Sequence, residues 1–102
     1  MHPIIENNKC SIEKLCKENK VEKLYVFGSI LTDKFTEKSD LDFIVTFDKS
    51  LELLDYADNY FDFLFSLEKL FKRDIDLISE KSLQNPYFIY ELNKTKQLVY
   101  AA

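Results

Sequence analysis

Strands that alternate with helices predict an α/β or α+β sandwich in which helices cover one small sheet. Three stretches carry that prediction. Residues Leu24 to Phe47 hold two apolar runs joined by a polar loop. Residues Ser50 to Phe71 carry two adjacent apolar stripes at helical spacing. Asp74-Ile75-Asp76-Leu77-Ile78 alternates charged and aliphatic residues as a short strand does. With 102 residues, one domain spanning 1–102 is expected.

Met1 to Asn8 reads as a loose arm. Ser11 is placed to cap a helix through about Asn19, with Ile12, Leu15 and Cys16 as its apolar stripe. Val21 to Phe27 reads as the first strand, closed by Gly28-Ser29. Ile30 to about Phe35 is expected to be a short helix or turn, and Thr36 to Ser39 a polar loop. Leu41 to Phe47 is apolar on both faces, as a strand covered on both sides is. Ser50 would cap the long helix that follows. Leu53, Tyr56, Tyr60, Phe63, Leu67 and Leu70 fall on one stripe of it, and Leu54, Ala57, Phe61, Leu64 and Phe71 on the next. Phe65 lies outside both. That apolar face is wider than a half-buried helix needs, so part of it is a candidate partner surface. Asp74 to Ile78 is the third strand and Ser82 to Pro86 a turn. Tyr87 to about Lys96 is a last helix with Phe88, Ile89 and Leu92 inward. Leu98-Val99-Tyr100 reads as a short strand or a helix end.

Bulk composition removes several classes of function. The net charge is −4, whereas long nucleic acid is bound by basic stripes that displace counterions. The spacing of Cys10 and Cys16 matches neither a CxxC redox pair nor a zinc knuckle. A serine or cysteine relay needs a histidine, and the single one, His2, lies in the arm. Pro3, Glu6 and two asparagines stand where a signal peptide has its apolar run, so none is expected. No apolar stretch approaches the ~20 residues of a membrane span. These features predict a cytoplasmic protein without membrane contact.

The chemistry concentrates around the chain's single glycine. Gly28 sits where a strand meets a turn, and lacking a Cβ it lets the backbone approach a ligand closely. The first amides of the following turn are unpaired donors, and Ser29 adds a hydroxyl, so Gly28-Ser29 is a candidate phosphate cradle. Asp40 and Asp42 lie two apart at the mouth of the second strand and so share a face. Side by side they repel, a conflict that a divalent cation removes; oxygen ligands favour magnesium or manganese over zinc. Asp76, between Ile75 and Leu77, would stand level with Asp42 if the third strand pairs beside the second. Three carboxylates would then support a two-metal centre. Asp74 shares the parity of Asp76 and is the rival third ligand, expected to be more exposed and ion-paired with Arg73.

Phe27-Gly28-Ser29, then Ser39-Asp40-Leu41-Asp42, then a strand bearing Asp76, resemble the nucleotidyltransferase superfamily related to DNA polymerase beta. The short length resembles its minimal branch, the MntA-like antitoxins. The resemblance covers roughly residues 20 to 100. It implies an α+β core with a small mixed β-sheet covered by helices. It also implies a Mg2+-dependent enzyme that transfers AMP from ATP to a hydroxyl and releases pyrophosphate. By position, Gly28 and Ser29 would hold the triphosphate, Asp40 and Asp42 would ligate both metals, and Asp76 would ligate one and assist deprotonation of the acceptor. The implied acceptor is a tyrosine of a HEPN-type RNase toxin encoded by a neighbouring gene, in a homo- or hetero-oligomeric assembly. One departure is visible: many members continue Gly-Ser with arginine, and here Ile30 follows. It supports an alternative, an antitoxin that neutralises its toxin by binding through the aromatic helix around Phe61, Phe63 and Phe65.

Overall fold

The computed structural model describes residues 1–102. A four-stranded mixed sheet is its centre. The strands are β1 (Val21–Phe27), β2 (Leu41–Phe47), β3 (Ile75–Ser79) and β4 (Gln97–Ala101), in the order β3-β2-β1-β4. β1 runs antiparallel to both β2 and β4, and β2 runs parallel to β3. Parallel neighbours need a long crossover. The helix Leu53–Phe71 supplies it; with helices at Pro3–Glu6, Lys9–Glu18 and Pro86–Thr95, the four are α1 (Pro3–Glu6), α2 (Lys9–Glu18), α3 (Leu53–Phe71) and α4 (Pro86–Thr95).

Both faces of the sheet are covered, which is why β2 reads as a continuous apolar run. On one face Leu24, Val26, Leu41, Phe43, Val45 and Leu77 pack against α2 and α3, through Ile12, Cys16, Phe63, Leu67 and Phe71. On the other, Phe27 and Ile44 meet Leu92 of α4, flanked by Tyr25, Ile78 and Leu83. This second cluster is small and leaves the sheet end beside it open.

Several local expectations change. The N-terminal segment is not a loose arm. Pro3–Glu6 forms a helical turn capped by His2, whose Nδ1 accepts from the Ile4 amide at 3.1 Å, and Ile5 is fully buried. α2 starts at Lys9, before Ser11. The turn after Gly28 is a single 3₁₀ turn, Gly28–Leu31, ended where the amide and hydroxyl of Thr32 both donate to the Ser29 carbonyl at 2.9 and 2.8 Å. Ser50 does not cap α3; its amide donates to Asp48 Oδ1 at 2.8 Å and the helix begins three residues later. In α4 only Leu92 is buried, and Phe88 is 42% exposed. Phe63 is fully buried in the core, so it cannot belong to a partner surface with Phe61 and Phe65, which are 48% and 59% exposed.

The two cysteines separate chemically. Cys16 lies in the core, where burial first and Glu13 second push its thiol up to about 12. Cys10 is exposed. Because the thiolate is the reactive form, a disulfide reagent such as Ellman's is expected to modify one thiol per native chain. Two fast-reacting thiols in the folded protein would contradict this packing.

Candidate active site

Strand parity builds the site. Because Leu41, Phe43 and Val45 enter the α2/α3 core, Asp42 and Ile44 must face α4. Ile75 and Leu77 likewise enter the core, so Asp76 and Ile78 face the α4 side. The parallel register then makes Asp42 and Asp76 direct Cα partners, and on the other flank Asp42 is the partner of Phe27. Two carboxylates from neighbouring strands thus stand level on one face, at the open end of the sheet. Asp40 is exposed just before β2 begins, with the parity of Asp42.

The electrostatic effect of this arrangement falls on Asp42. The Asp42 carboxyl is pushed up to about 6, by burial first, then by Asp76, then by Asp40. A carboxylate in that position is held at a cost that a neighbouring cation would offset. On α3, burial first and Asp76 second hold the Tyr60 phenol above its usual value. The Tyr60 hydroxyl donates to the Leu77 carbonyl and Tyr56 bonds Ser79, so two tyrosines of α3 tie down this edge strand.

Gly28 has a φ of +78°, the left-handed region that favours glycine. A Cβ built there would collide with the Asp42 carboxylate, within 3.2 Å of its Cγ. The glycine therefore leaves a space that the Asp42 side chain fills, and it brings the phosphate-cradle candidate directly against the acidic pair. Ser29 follows, half-buried. The turn is too short to add a helix dipole, so its contribution is local: amides, a hydroxyl and close approach. Ile30, where arginine was the pattern, is buried in the core and cannot serve a ligand.

Asp74 is exposed, as expected of the rival ligand, but it is not ion-paired. Its backbone carbonyl accepts from the Leu41 amide at 3.2 Å. Arg73, the chain's one arginine, instead donates from one guanidinium nitrogen to the carbonyls of Thr36 and Ser39, at 3.2 and 2.9 Å. Beyond Ile44 on the same face lies a cavity of about 220 Å³, bounded by Tyr25, Leu83, Leu92 and Lys96. The Lys96 ammonium sits 4.2 Å above the Tyr25 ring.

The donor set suits a hard divalent cation: oxygen atoms only, with the charge of Asp42 disfavoured by burial and by its two acidic neighbours. The carboxylates are not drawn into a tight cage, since no three His, Cys, Asp or Glu side chains are close enough to hold an ion as they stand. The fit lies in the backbone register and the charge.

Residues 10–102 match the family model described as polymerase beta, nucleotidyltransferase. The chain belongs to this family. It is 36% identical over 84 residues to MJ1379 of Methanocaldococcus jannaschii, provisionally named a protein adenylyltransferase, with 74% of each chain covered. Its fold is similar to the solved structure of a provisionally assigned minimal nucleotidyltransferase, with a TM-score of 0.72, 26% identity and 95% of each chain covered. It is also similar to a chain in the complex of a tri-AMPylated Shewanella oneidensis HEPN toxin with an MNT antitoxin. There the TM-score is 0.65 at 19% identity, covering 96% of this chain and 73% of the other, a likeness of fold. The mixed sheet with covering helices is thus the nucleotidyltransferase core that Gly28-Ser29 and the Asp-x-Asp pair pointed to.

Proposed function

We propose that this nucleotidyltransferase is a Mg2+-dependent protein adenylyltransferase that moves AMP from ATP to a tyrosine hydroxyl of a HEPN-type toxin, and so acts as the antitoxin. The observation that carries the reading is the Cα pairing of Asp42 with Asp76 beside a left-handed Gly28. Family membership and the provisional name of the Methanocaldococcus jannaschii relative support the reaction class. The fold shared with a chain of the AMPylated toxin complex supports the partner.

Gly28 and Ser29 receive the triphosphate at the end of β1. Asp40, Asp42 and Asp76 would hold Mg2+, which when bound supplies charge neutralisation and an acidified acceptor hydroxyl. The acceptor oxygen forms a bond to the α-phosphorus, the bond from that phosphorus to the bridging oxygen breaks, and pyrophosphate leaves. Asp76 is exposed, and in this reading its carboxylate takes the hydroxyl proton. Asp42, raised to about 6 in the metal-free protein, must lose its proton to serve as a ligand, so Mg2+ affinity is expected to weaken as the pH falls below about 6.

The test is transfer of labelled AMP from ATP to the toxin encoded beside this chain. Label on the toxin that requires Mg2+ and disappears with Asp42→Asn is the expected result. Equal label with the variant would overturn the reading. A melting curve gives an independent check, since ligands that bind only the folded state raise its midpoint. ATP with Mg2+ is expected to raise it, and ATP with EDTA is not.

A second reading is favoured by one surface. Phe61 and Phe65 stack at 6.0 Å between centroids and stay largely exposed, and Leu54 on the same helix is 90% exposed. With Ile30 buried where an arginine would serve phosphate, an antitoxin of weak activity could neutralise by contact through α3. Full neutralisation in cells by Asp42→Asn, together with its loss in Phe65→Asp, would select this reading.

A further inference from the structure

We infer that Arg73 is the positioning residue for Asp40, locking the loop before β2 onto the start of β3. The inference rests on the metal-site reading above and concerns a residue that reading leaves unused. Thr36 to Ser39 forms a closed turn: the Ser39 amide donates to the Thr36 carbonyl at 3.1 Å, and the Thr36 amide to the Ser39 hydroxyl at 3.0 Å. Both carbonyls that bracket this turn accept from the same nitrogen of Arg73.

The next peptide is held from the same strand entry. Asp40 lies between the Ser39 carbonyl, bound by Arg73, and the Leu41 amide, bound by the Asp74 carbonyl. The backbone on both sides of Asp40 is therefore fixed to the two residues that immediately precede β3, the strand carrying Asp76. The guanidinium is in turn oriented: it lies 4.8 Å above the Phe35 ring, which meets the His2 ring edge-on at 4.9 Å. Hydrogen bonds from a charged donor to two carbonyls, with a planar group seated on an aromatic face, are the kind of support that fixes a ligand's geometry.

The sequence shows Arg73 next to Asp74, which suggests an ion pair between them. The structure spends its donors on carbonyls 34 and 37 residues away instead. Asp40 has no strand ladder of its own before Leu41, so without the clamp its loop is held by the 36–39 turn and the Leu41–Asp74 bond.

The test is a double-mutant cycle on cation binding, read by the electron-spin-resonance signal of free Mn2+ in the presence of a non-transferable α,β-methylene ATP analogue. Arg73→Gln is expected to weaken Mn2+ binding about tenfold. Asp40→Asn should weaken it as well, and adding Arg73→Gln to Asp40→Asn should cost nothing further. Binding by Arg73→Gln within twofold of the parent, or penalties that add in the double variant, would overturn the inference while leaving the metal site standing. A parent chain that binds no Mn2+ would overturn the site and its clamp together. If Arg73→Gln does not fold, Arg73→Lys takes its place. It keeps the charge but loses the planar contact with Phe35, and the expected loss is about threefold, again absent in the Asp40→Asn background.

Discussion

Asp42→Asn is expected to abolish AMP transfer and, in the absence of metal, to make the protein more stable. The two effects come from one cause. Asp42 is half-buried between Asp76 and Asp40, and its carboxyl is pushed up to about 6. A raised carboxyl favours its neutral form in the fold. Its contribution to stability is full below the ordinary value of 3.8 and is lost as pH rises through about 6. At neutral pH the ionised group is therefore a liability, and an isosteric amide removes it. After discounting for solvent screening, the gain is about 1 kcal/mol, seen as a rise in midpoint of about 4 °C in EDTA at pH 7. The advantage should shrink toward zero as the pH is lowered to 4. Catalysis moves the other way. With Asp42 as the metal ligand proposed above, its loss should remove several kcal/mol of transition-state stabilisation, or about a thousandfold in rate. With Mg2+ and ATP the stabilities should cross, because only the parent gains from the ligands. An Asn variant less stable than the parent in EDTA at pH 7 would show that Asp42 is held by contacts other than those described.

Gly28→Ala is expected to lower both stability and transfer, and a double variant separates the reasons. At φ +78° an L side chain is strained whatever space surrounds it, at a cost of about 1–2 kcal/mol. The new methyl also meets the Asp42 carboxylate. That collision is relieved by turning the Asp42 side chain away, which costs little in stability but takes a ligand out of place. Stability should thus fall by about 1–2 kcal/mol, while transfer falls nearly as far as in Asp42→Asn. In Gly28→Ala combined with Asp42→Ala the steric part vanishes and only the dihedral strain remains. The stability penalty of the glycine change should be nearly the same in both backgrounds, whereas its effect on residual transfer should disappear. Chemical unfolding and the labelled-ATP assay read the two quantities.

The sequence made the sheet and the level of its carboxylates legible for a definite reason. Alternation along Leu41 to Phe47 and Asp74 to Ile78 fixes which side chains share a face, and the stretch between them is long enough only for a crossover helix. What stayed hidden depends on partners distant in the chain. Four residues, Pro3–Glu6, have no helical period to detect; the core makes them a helix by burying Ile5. On α3 the two apolar stripes are equivalent on paper, and only the position of the sheet sends Phe63 inward and leaves Phe61 outside. Ser50 looks like a cap from its residue type alone; its own amide instead donates to the Asp48 carboxylate, and the helix begins only at Leu53. Arg73 was read against its neighbour Asp74 because side-chain charges are visible in a sequence and backbone carbonyls are not. The absence of an ion pair there could have been anticipated only from the loop that ends at Asp40.

Ile75 and Leu77 lie under the sheet against α3, and Asp76 stands above it between them. A pairing slip of a single residue would invert that arrangement, sinking the acid among aliphatic and aromatic side chains. The spacing of the acidic groups is accordingly an inheritance from hydrophobic fit, and damage to oily residues on the far side would displace the carboxylates above them.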